Sequence, residues 1–262
     1  MGNLIPTVAS AIRRSRPICV LVIAVFLAGC VASQDHHATA RKSPGGKATE
    51  TNAPAPVVDA LPPTARVAPA PFPGEGWLPM FDGRTLAGWK ETDFAGHGVV
   101  RCEAGAMVFN MGDPFTGLNF TNAFPTNDYE IAFDAMRVAG SDFFCGLTVP
   151  VGASFCSLIV GGWGGTLVGI SSLDGMDASE NETTKFREFK TGQWYRIRLR
   201  VTAKKIEAWI DDDEVVNVAI VDRRVSVRPG DIEMSEPVGL ASWQTSAAFR
   251  EIKVRRLAPA MR

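Results

Sequence analysis

The sequence predicts an all-β fold, an antiparallel β-sandwich, over residues 74–257. Several segments alternate apolar and polar residues with a period of two, which is typical of strands with one buried face. Clusters of Gly, Pro, Asn and Asp separate these segments at short intervals. No stretch carries an apolar stripe at helical spacing over more than a turn or two. Many short strands with turns between them favour a β-sandwich or jelly roll.

The clearest strand is "WYRIRLRVT" (194–202), in which apolar residues alternate with three arginines. "KIEAWI" (205–210) and "DYEIAFDAM" (128–136) follow the same rule. Further strands are predicted at "VVRCE", "AMVFN", "TGLNF", "FFCGLTV", "SFCSLIV" and "FREIKVRRL". The acidic run "IDDDEVV" (210–216) is predicted to be a hairpin tip, because Asp tolerates turn conformations. A calcium site there is the weaker alternative, because carboxylates at a tip point outward and apart.

The first thirty residues are predicted to be a lipoprotein signal peptide. Three arginines at 13–16 precede the apolar run "ICVLVIAVFLAGC", which is too short to span a bilayer comfortably. The ending "LAGC" resembles the bacterial lipobox, which implies a lipid on Cys30 and export to the outer membrane or cell surface. The residue after Cys30 is Val31, and not the Asp that retains some lipoproteins at the inner membrane. An ordinary cleaved signal is the alternative.

Residues 31–73 are predicted to be a disordered Pro/Ala-rich linker, because they bury too little apolar surface to offset the entropy of ordering. His36 and His37 beside Asp35 are either a metal site or, more simply, solvated residues of this arm. Without the signal arginines, 24 of the 27 basic residues remain against 28 acidic ones, a net charge of −4. That balance leaves no basic stripe for nucleic acid. The expected partners are a carbohydrate and a membrane.

Three cysteines follow residue 30. Cys145 and Cys156 flank the turn "TVPVGAS", and Cys102 lies apart from them. A two-residue loop at Pro150-Val151 would place the pair directly opposite, whereas a three-residue loop with a left-handed Gly152 would offset it by one. We favour the offset loop, and therefore free, buried thiols.

The stretch "TLVGISSLDGMDASENETTKFREF" (166–189) carries four acids within nine residues. We predict that Glu180 and Glu182 are catalytic and that Asp174 and Asp177 bind a metal ion. Hard oxygen ligands at this density suit calcium or another divalent cation. The sequence indicates no other cofactor. The alternative is a solvated connection between strands, and both stay open.

Three further side chains are predicted to belong to the site. Trp163, in "GGWGG", is either a platform for a ligand or a side chain that closes the core. His97 is the one histidine after residue 73, and it is either a general base or a surface turn residue. Arg187, with Lys185, binds a ligand or neutralises the acids of the preceding loop.

The stretch "GEGWLPMFDGRTLAGWK" (74–90) resembles the opening of the 3-keto-disaccharide hydrolase domain family. The matching residues are Phe81, Asp82, Gly83, Leu86, Gly88 and Trp89. "NDYEIAFDAM", "GQWYRIRLRV", "KIEAWIDDDEVV" and "VGLASWQTSAAFREIKVRRL" are similar to later strands of the family. The resemblance implies a concanavalin A-like jelly roll and sugars as substrates.

The chain departs from the family at polar positions. Asp142 lies at or near the turn where members carry Asn-Ser-Gly, and Cys156 and Leu158 take polar slots of a Tyr-Glu-x-Gln strand. A Gln-Asp-His trio is replaced by Ala241, Ser242 and Trp243. From the resemblance we predict a catalytic Asp142 and a sugar-binding Trp243, in a site that has lost or replaced the family's other polar groups.

Three functions are consistent with these features. The first is an enzyme acting on a glycosidic linkage, by hydrolysis or elimination, in 3-keto or ordinary disaccharides. Elimination from a 3-keto sugar requires a base next to the acidic proton and a cation or donor that stabilises the enolate. The second is a non-catalytic carbohydrate-binding module, and the third is an envelope structural lipoprotein. We favour the first slightly.

Overall fold

The computed structural model describes residues 60–66 and 68–258. The predicted signal peptide with Cys30, and the predicted linker up to residue 59 with His36 and His37, lie outside the described residues. Within the described part, none of the helices has the length and apolarity needed to cross a membrane.

The described residues form two antiparallel sheets packed face to face. The strands are β1 (Leu78–Pro79), β2 (Trp89–Glu91), β3 (Val100–Glu103), β4 (Ala106–Phe109), β5 (Phe115–Phe120), β6 (Tyr129–Gly140), β7 (Cys145–Val151), β8 (Ser154–Gly162), β9 (Leu167–Ser171), β10 (Lys185–Phe186), β11 (Trp194–Val201), β12 (Lys205–Ile210), β13 (Asp213–Ala219), β14 (Gly239–Trp243) and β15 (Thr245–Arg256). The eight-stranded sheet has the order β13-β12-β11-β6-β15-β4-β3, with β1 on β15. The seven-stranded sheet has the order β10-β9-β8-β7-β14-β5-β2. The predicted all-β fold, an antiparallel β-sandwich, is confirmed.

The core lies between the sheets, where the apolar phase of each strand points inward. On β11 every second residue is buried, as its alternation predicts. Leu147 and Leu158 from one sheet and Phe133 and Phe249 from the other are fully buried in a single cluster. This cluster holds the two sheets together by burial of apolar surface.

The Phe-Asp-Gly motif of the opening stretch forms a turn that fixes the start of the sandwich. The Asp82 carboxylate accepts hydrogen bonds from the Arg84 and Thr85 amides, each at 2.7 Å, and from the Thr85 hydroxyl. The backbone and side-chain bonds from Thr85, with that from Arg84, lower the pKa of Asp82 to about 2. Trp89 is buried and donates from its indole nitrogen to the Met80 carbonyl at 2.7 Å. The motif therefore has a structural role.

Residues just before the predicted domain start contact the outer face of the eight-stranded sheet. Leu61 is buried against Val108 and Met136 in a small cluster on this face. The Phe72 ring lies 4.4 Å from the guanidinium of Arg196, which also donates to the Pro71 carbonyl at 3.0 Å. Packing on the sandwich therefore begins before residue 74.

The hairpin between β7 and β8 turns later than predicted. Val151 pairs with Ser154, so the loop is Gly152-Ala153, with Gly152 at φ 63°. Both predicted loops, at Pro150-Val151 and at Pro-Val-Gly, are therefore wrong in position, because Pro150 and Val151 belong to the strand. The left-handed conformation predicted for Gly152 is confirmed.

The cysteines are free, as predicted. Cys145 pairs with Val160, and Cys156 pairs with Val149, four residues further along the strand. Both thiols are free and buried, and burial raises the pKa of Cys156 to about 12 and that of Cys145 further. Cys102 is also free and half-buried.

Candidate functional site

A cleft of about 470 Å³ opens on the outer face of the seven-stranded sheet. The period-two alternation of β8 explains its floor. Cys156 and Leu158 point into the core, whereas Ser157 and Ile159 point outward and line the cleft. Cys156 and Leu158 take positions that are polar in the family the chain resembles. Their side chains lie between the sheets, so they cannot line a site.

The outer face around the cleft is unusually poor in side chains. Across three neighbouring strands, Ala241 pairs with both Gly117 and Gly146. On the adjoining strands, Ile159 pairs with Gly146 and with Gly169. These small residues allow neighbouring segments to pack directly on the sheet. A Cβ on Gly117 would lie 2.7 Å from Phe94, and one on Gly146 would lie 3.1 Å from Phe143. Phe143 also lines the cleft, so the cleft lies beside the packed segments.

Aromatic rings form much of the cleft wall. Trp243, at the end of β14, contacts Phe115 edge-on at 4.5 Å between ring centroids and lies 6.4 Å from Phe143. Phe115 in turn stacks on Phe94 at 4.7 Å. Trp243 is half-buried, so part of its indole remains available to the cleft. The structure thus places this predicted sugar-binding residue in the cleft lining.

Trp163 lies at the tip of the turn between β8 and β9. It has φ 48°, and its side chain is 44% exposed and lines the cleft. The structure therefore excludes the alternative in which this indole closes the core. An exposed indole beside a cleft is suited to contact an apolar ligand face.

Asp177 brings one of the four loop acids into the cleft. Its Oδ1 accepts from the Ser171 hydroxyl at 2.5 Å and from the Ala178 amide at 2.7 Å. Its Oδ2 lies 2.8 Å from the guanidinium of Arg228, and the side chain is 14% exposed. The cleft therefore contains a carboxylate and a guanidinium in direct contact.

Asp142 is a second carboxylate of the cleft. Its Oδ1 accepts from the Phe143 amide at 2.7 Å, and its Oδ2 accepts from the Gly164 amide at 3.3 Å. The second bond ties Asp142 to the turn that carries Trp163. Asp231, at the start of a 3-10 turn (Asp231–Ser235), adds a third carboxylate to the lining.

Two of the loop acids point elsewhere and form an ion-pair cluster. Arg223 contacts Asp174 at 2.6 Å and also forms a short ion pair with Glu182. The Arg224 amide and the Arg223 side chain lower the pKa of Asp174, and the Arg223 side chain lowers that of Glu182. This cluster fastens the acidic loop to the segment after β13. Neither acid lines the cleft, so the catalytic role predicted for Glu182 has no support in this geometry.

Three other predicted residues also lie outside the cleft lining. Glu180 is exposed, and its carboxylate accepts weakly from the Asp177 amide at 3.5 Å. His97 is exposed, 3.8 Å from Glu91. Arg187 pairs with Asp211 at 2.8 Å and with Asp213 at 2.9 Å, so it neutralises the β12–β13 hairpin tip and not the loop that precedes it.

The predicted metal site is not assembled by the described residues. Asp174 meets Arg223, whereas Asp177 meets Arg228, so each carboxylate already faces a cation. No group of three or more His, Cys, Asp or Glu suited to a metal ion occurs between residues 60 and 258, as far as they are described. Calcium binding stays a prediction.

Sequence reasoning missed two arginines that shape the site. Arg228 follows no apolar pattern and reaches Asp177 from more than fifty residues away in the chain. Arg137 lies on β6 in phase with Phe133 and Ala135, so its position in the alternation places it on the core-facing side. A charged residue in an apolar phase was the signal available for Arg137, whereas Arg228 offered none.

Comparison with known sequences now decides the family. The sequence model of the 3-keto-alpha-glucoside-1,2-lyase-like domain matches residues 76–255, more than half of the chain. The chain belongs to this family. The recognition made from the opening motif is therefore confirmed, and the lyase-like domain covers both sheets. No curated protein matches the chain.

Solved structures with a similar fold include three carbohydrate-related proteins. The Bacillus licheniformis beta-glucanase has a TM-score of 0.47 at 8% identity, with 70% of this chain and 99% of that one covered. A candidate glycosyl hydrolase of Parabacteroides distasonis has a TM-score of 0.46 at 14% identity, with 70% and 95% covered. The carbohydrate-binding module CBM66 of Bacillus subtilis has a TM-score of 0.44 at 13% identity, with 64% and 95% covered. The family assignment does not depend on these distant similarities.

Proposed function

We propose that the lyase-like domain binds a 3-keto glycoside in the cleft and cleaves its glycosidic bond by elimination. The observation that carries the proposal is the contact of Asp177 with Arg228 at 2.8 Å inside a cleft with aromatic walls. A carboxylate beside a guanidinium supplies the base and the cation that such an elimination requires.

The chemistry follows from the ketone. The C3 carbonyl makes the hydrogen on C2 acidic, and the Asp177 carboxylate removes it as a proton. The electron pair of the C2–H bond passes to the C3 oxygen, and Arg228 stabilises the resulting enolate. When the enolate collapses, a C1=C2 double bond forms and the C1–O bond breaks. The departing oxygen lies on the opposite ring face from the C2 hydrogen of an α-glucoside, so it takes a proton from water and Asp177 returns its proton to solvent. The products are an alcohol and a conjugated enone.

The remaining lining suits recognition of a sugar ring. Trp163 and Trp243 offer indole surfaces for the apolar face of a pyranose. The Asp142 carboxylate, held by two backbone amides, is suited to accept a hydrogen bond from a sugar hydroxyl. The volume of the cleft, about 470 Å³, falls in the range of small-molecule sites.

A second candidate is a non-catalytic sugar-binding module, which two observations favour. Both oxygens of Asp177 and both oxygens of Asp142 already accept hydrogen bonds or an ion pair, so a substrate would have to compete with partners within the protein for these carboxylates. His97, the one histidine among the described residues, lies outside the cleft lining and offers no alternative base.

Turnover distinguishes the two candidates. Purified protein is mixed with methyl 3-keto-α-glucoside, and the enone product is followed by its ultraviolet absorbance while binding is measured by calorimetry. Enone formation that Asp177→Asn reduces at least a hundredfold supports elimination, because general bases contribute on the order of 10²–10⁴-fold. Binding without enone formation supports the non-catalytic module. If neither binding nor enone formation is detected, both candidate functions are rejected. Asp174→Asn is the matched control in the same loop.

We also propose that the domain is displayed on the envelope through a lipid on Cys30. The lipobox-like "LAGC" supports this location. Growth with an alkyne-labelled fatty acid should label the wild-type protein and not Cys30→Ala, whereas equal labelling, or none in either, contradicts the anchor. Envelope anchorage with no sugar activity would leave the structural lipoprotein.

A further inference from the structure

Arg137 is a charged residue at a core-facing position of the eight-stranded sheet. It follows Phe133 and Ala135 in the inward phase of β6. The side chain is 6% exposed, and its guanidinium stacks on Phe144 at 5.2 Å. Burial lowers the pKa of Arg137 from its ordinary value. Moving a guanidinium from water into the protein interior costs free energy unless hydrogen-bond partners compensate for the lost hydration.

The guanidinium joins the two sheets at the edge of the cleft. It donates to the carbonyls of Gly165 at 2.8 Å, Asp142 and Phe189 at 3.2 Å, and Gly161 at 3.3 Å. Two of these carbonyls flank Trp163 in the turn, and a third belongs to Asp142. The Asp142 carboxylate in turn accepts from the Gly164 amide. Arg137 is therefore a common partner of the two segments that carry Trp163 and Asp142, two of the residues proposed above to contact the sugar.

The glycines of "GGWGG" fit this arrangement. A Cβ on Gly161 would lie 2.6 Å from an Nη atom of Arg137, and one on Gly165 would lie 3.3 Å from it. Both residues also have positive φ, 78° and 104°. The turn is thus glycine-rich because its backbone closes directly over the guanidinium.

We propose that Arg137 is a positioning residue of the sugar site, which sets Trp163 and Asp142 relative to each other; this inference rests on the proposed function. The planar fork of an arginine directs several donors at once toward separate carbonyls. The ammonium of a lysine is a single point, and it cannot serve carbonyls from three segments together. Arg137 does not contact Asp177, so it acts on binding and leaves the proton transfer in place.

The test uses the full chain labelled with 5-fluorotryptophan, in wild type, Arg137→Lys and Arg250→Lys. Arg250 is the matched control, because it is equally buried but pairs with Asp134 on the outer face of the same sheet. The fluorine resonance of Trp163 is assigned with Trp163→Phe. In Arg137→Lys we expect that resonance to shift or broaden. The resonance of Trp209, on β12 with its ring 3.9 Å from the Arg198 guanidinium, should stay unchanged.

Kinetics and rescue complete the test. Arg137→Lys should raise KM for methyl 3-keto-α-glucoside, or the Kd if the domain only binds, about tenfold or more with kcat nearly unchanged. Guanidinium ions added to Arg137→Ala should restore the Trp163 resonance. If Arg137→Ala does not fold, the Trp163 resonance and the KM of Arg137→Lys still test the positioning role.

An unchanged Trp163 resonance and unchanged KM in Arg137→Lys, with a loss of stability like that of Arg250→Lys, would overturn the positioning role. A wild-type protein that neither binds nor cleaves the sugar would reject the proposed function instead. The fluorine spectra would then still show whether Arg137 holds the Trp163 turn, so the two failures are distinguishable.

Discussion

The charged side chains on the two outer faces of the sandwich have different surroundings. On the eight-stranded sheet, Glu130 is completely buried and is met by Arg198 at 2.7 Å and Arg255 at 2.6 Å. On the seven-stranded sheet, the face is built of small residues, and Asp142 and Asp177 reach a cleft. Charges on the first face pair within the sheet, whereas the Asp177–Arg228 pair on the second face lines a cleft.

The acidic loop repeats this contrast on a smaller scale. Asp174 and Glu182 are held by Arg223 at the surface, whereas Asp177, in the same loop, points into the cleft. The density of acids in a sequence therefore does not identify a site. All three carboxylates have partners, and the difference is where they lie: Asp174 and Glu182 on the surface, Asp177 in the lining of the cleft.

The largest expected effect is on the charged face. Glu130→Ala leaves two or more arginines without their buried counter-charge, so the free energy of unfolding should fall by about 3–5 kcal/mol. Denaturant unfolding measures the change, and sugar binding by the remaining folded protein should be unaffected. A loss of binding greater than the loss of folded protein would break the separation of the two faces.

Asp177→Asn tests the cleft face. The substitution removes the proposed base while it keeps an acceptor for the Ser171 hydroxyl, so turnover should fall at least about a hundredfold. Initial rates of enone formation measure the loss. Asp174→Asn should retain turnover, because its carboxylate touches only the surface cluster. Equal losses in both variants would show that the loop acts as one structural unit.

Trp163→Ala should affect binding more than folding. The indole is exposed, so the free energy of unfolding should change by no more than about 0.5 kcal/mol. Sugar affinity should fall about tenfold, since aromatic contacts at a binding site contribute on the order of 1 kcal/mol or more. Calorimetric titration measures this. Phe186→Ala is the control, because this exposed ring lies outside the cleft lining.

The smallest expected effect concerns the turn at the start of the sandwich, which belongs to neither face. Its hydrogen bonds lower the pKa of Asp82 to about 2, so the ionised carboxylate stabilises the fold above its ordinary pKa. That contribution should be lost as the pH falls from about 4 toward about 2. Thermal unfolding of wild type and Asp82→Asn should therefore differ at neutral pH and converge in acid. A constant difference across this range would contradict the assignment.

Much of the fold could be predicted from the sequence, because alternation is a local property. The strands β6, β11 and β12 lie where the pattern places them, and the hairpin tip at Asp211 is confirmed. The position of the turn between β7 and β8 could not be predicted from the same pattern. The β7–β8 loop differs from both predicted loops, because Pro150 and Val151 still pair within the sheet and the turn is Gly152-Ala153.

The site could be predicted only in part. Trp163, Trp243, Asp142 and Asp177 were predicted and line one cleft. The other predicted site residues fall elsewhere because their partners are distant in the chain: Arg223 lies 41 residues from Glu182, for instance. Side-chain direction depends on such partners, which no local pattern contains.

The central claim is that a sugar binds in the cleft on the outer face of the seven-stranded sheet. A crystal structure of Asp177→Asn soaked with methyl 3-keto-α-glucoside tests it most directly. We expect the sugar ring between Trp163 and Trp243, with its C2 carbon next to residue 177. A sugar bound on the charged face of the other sheet, with the cleft empty, would contradict the account.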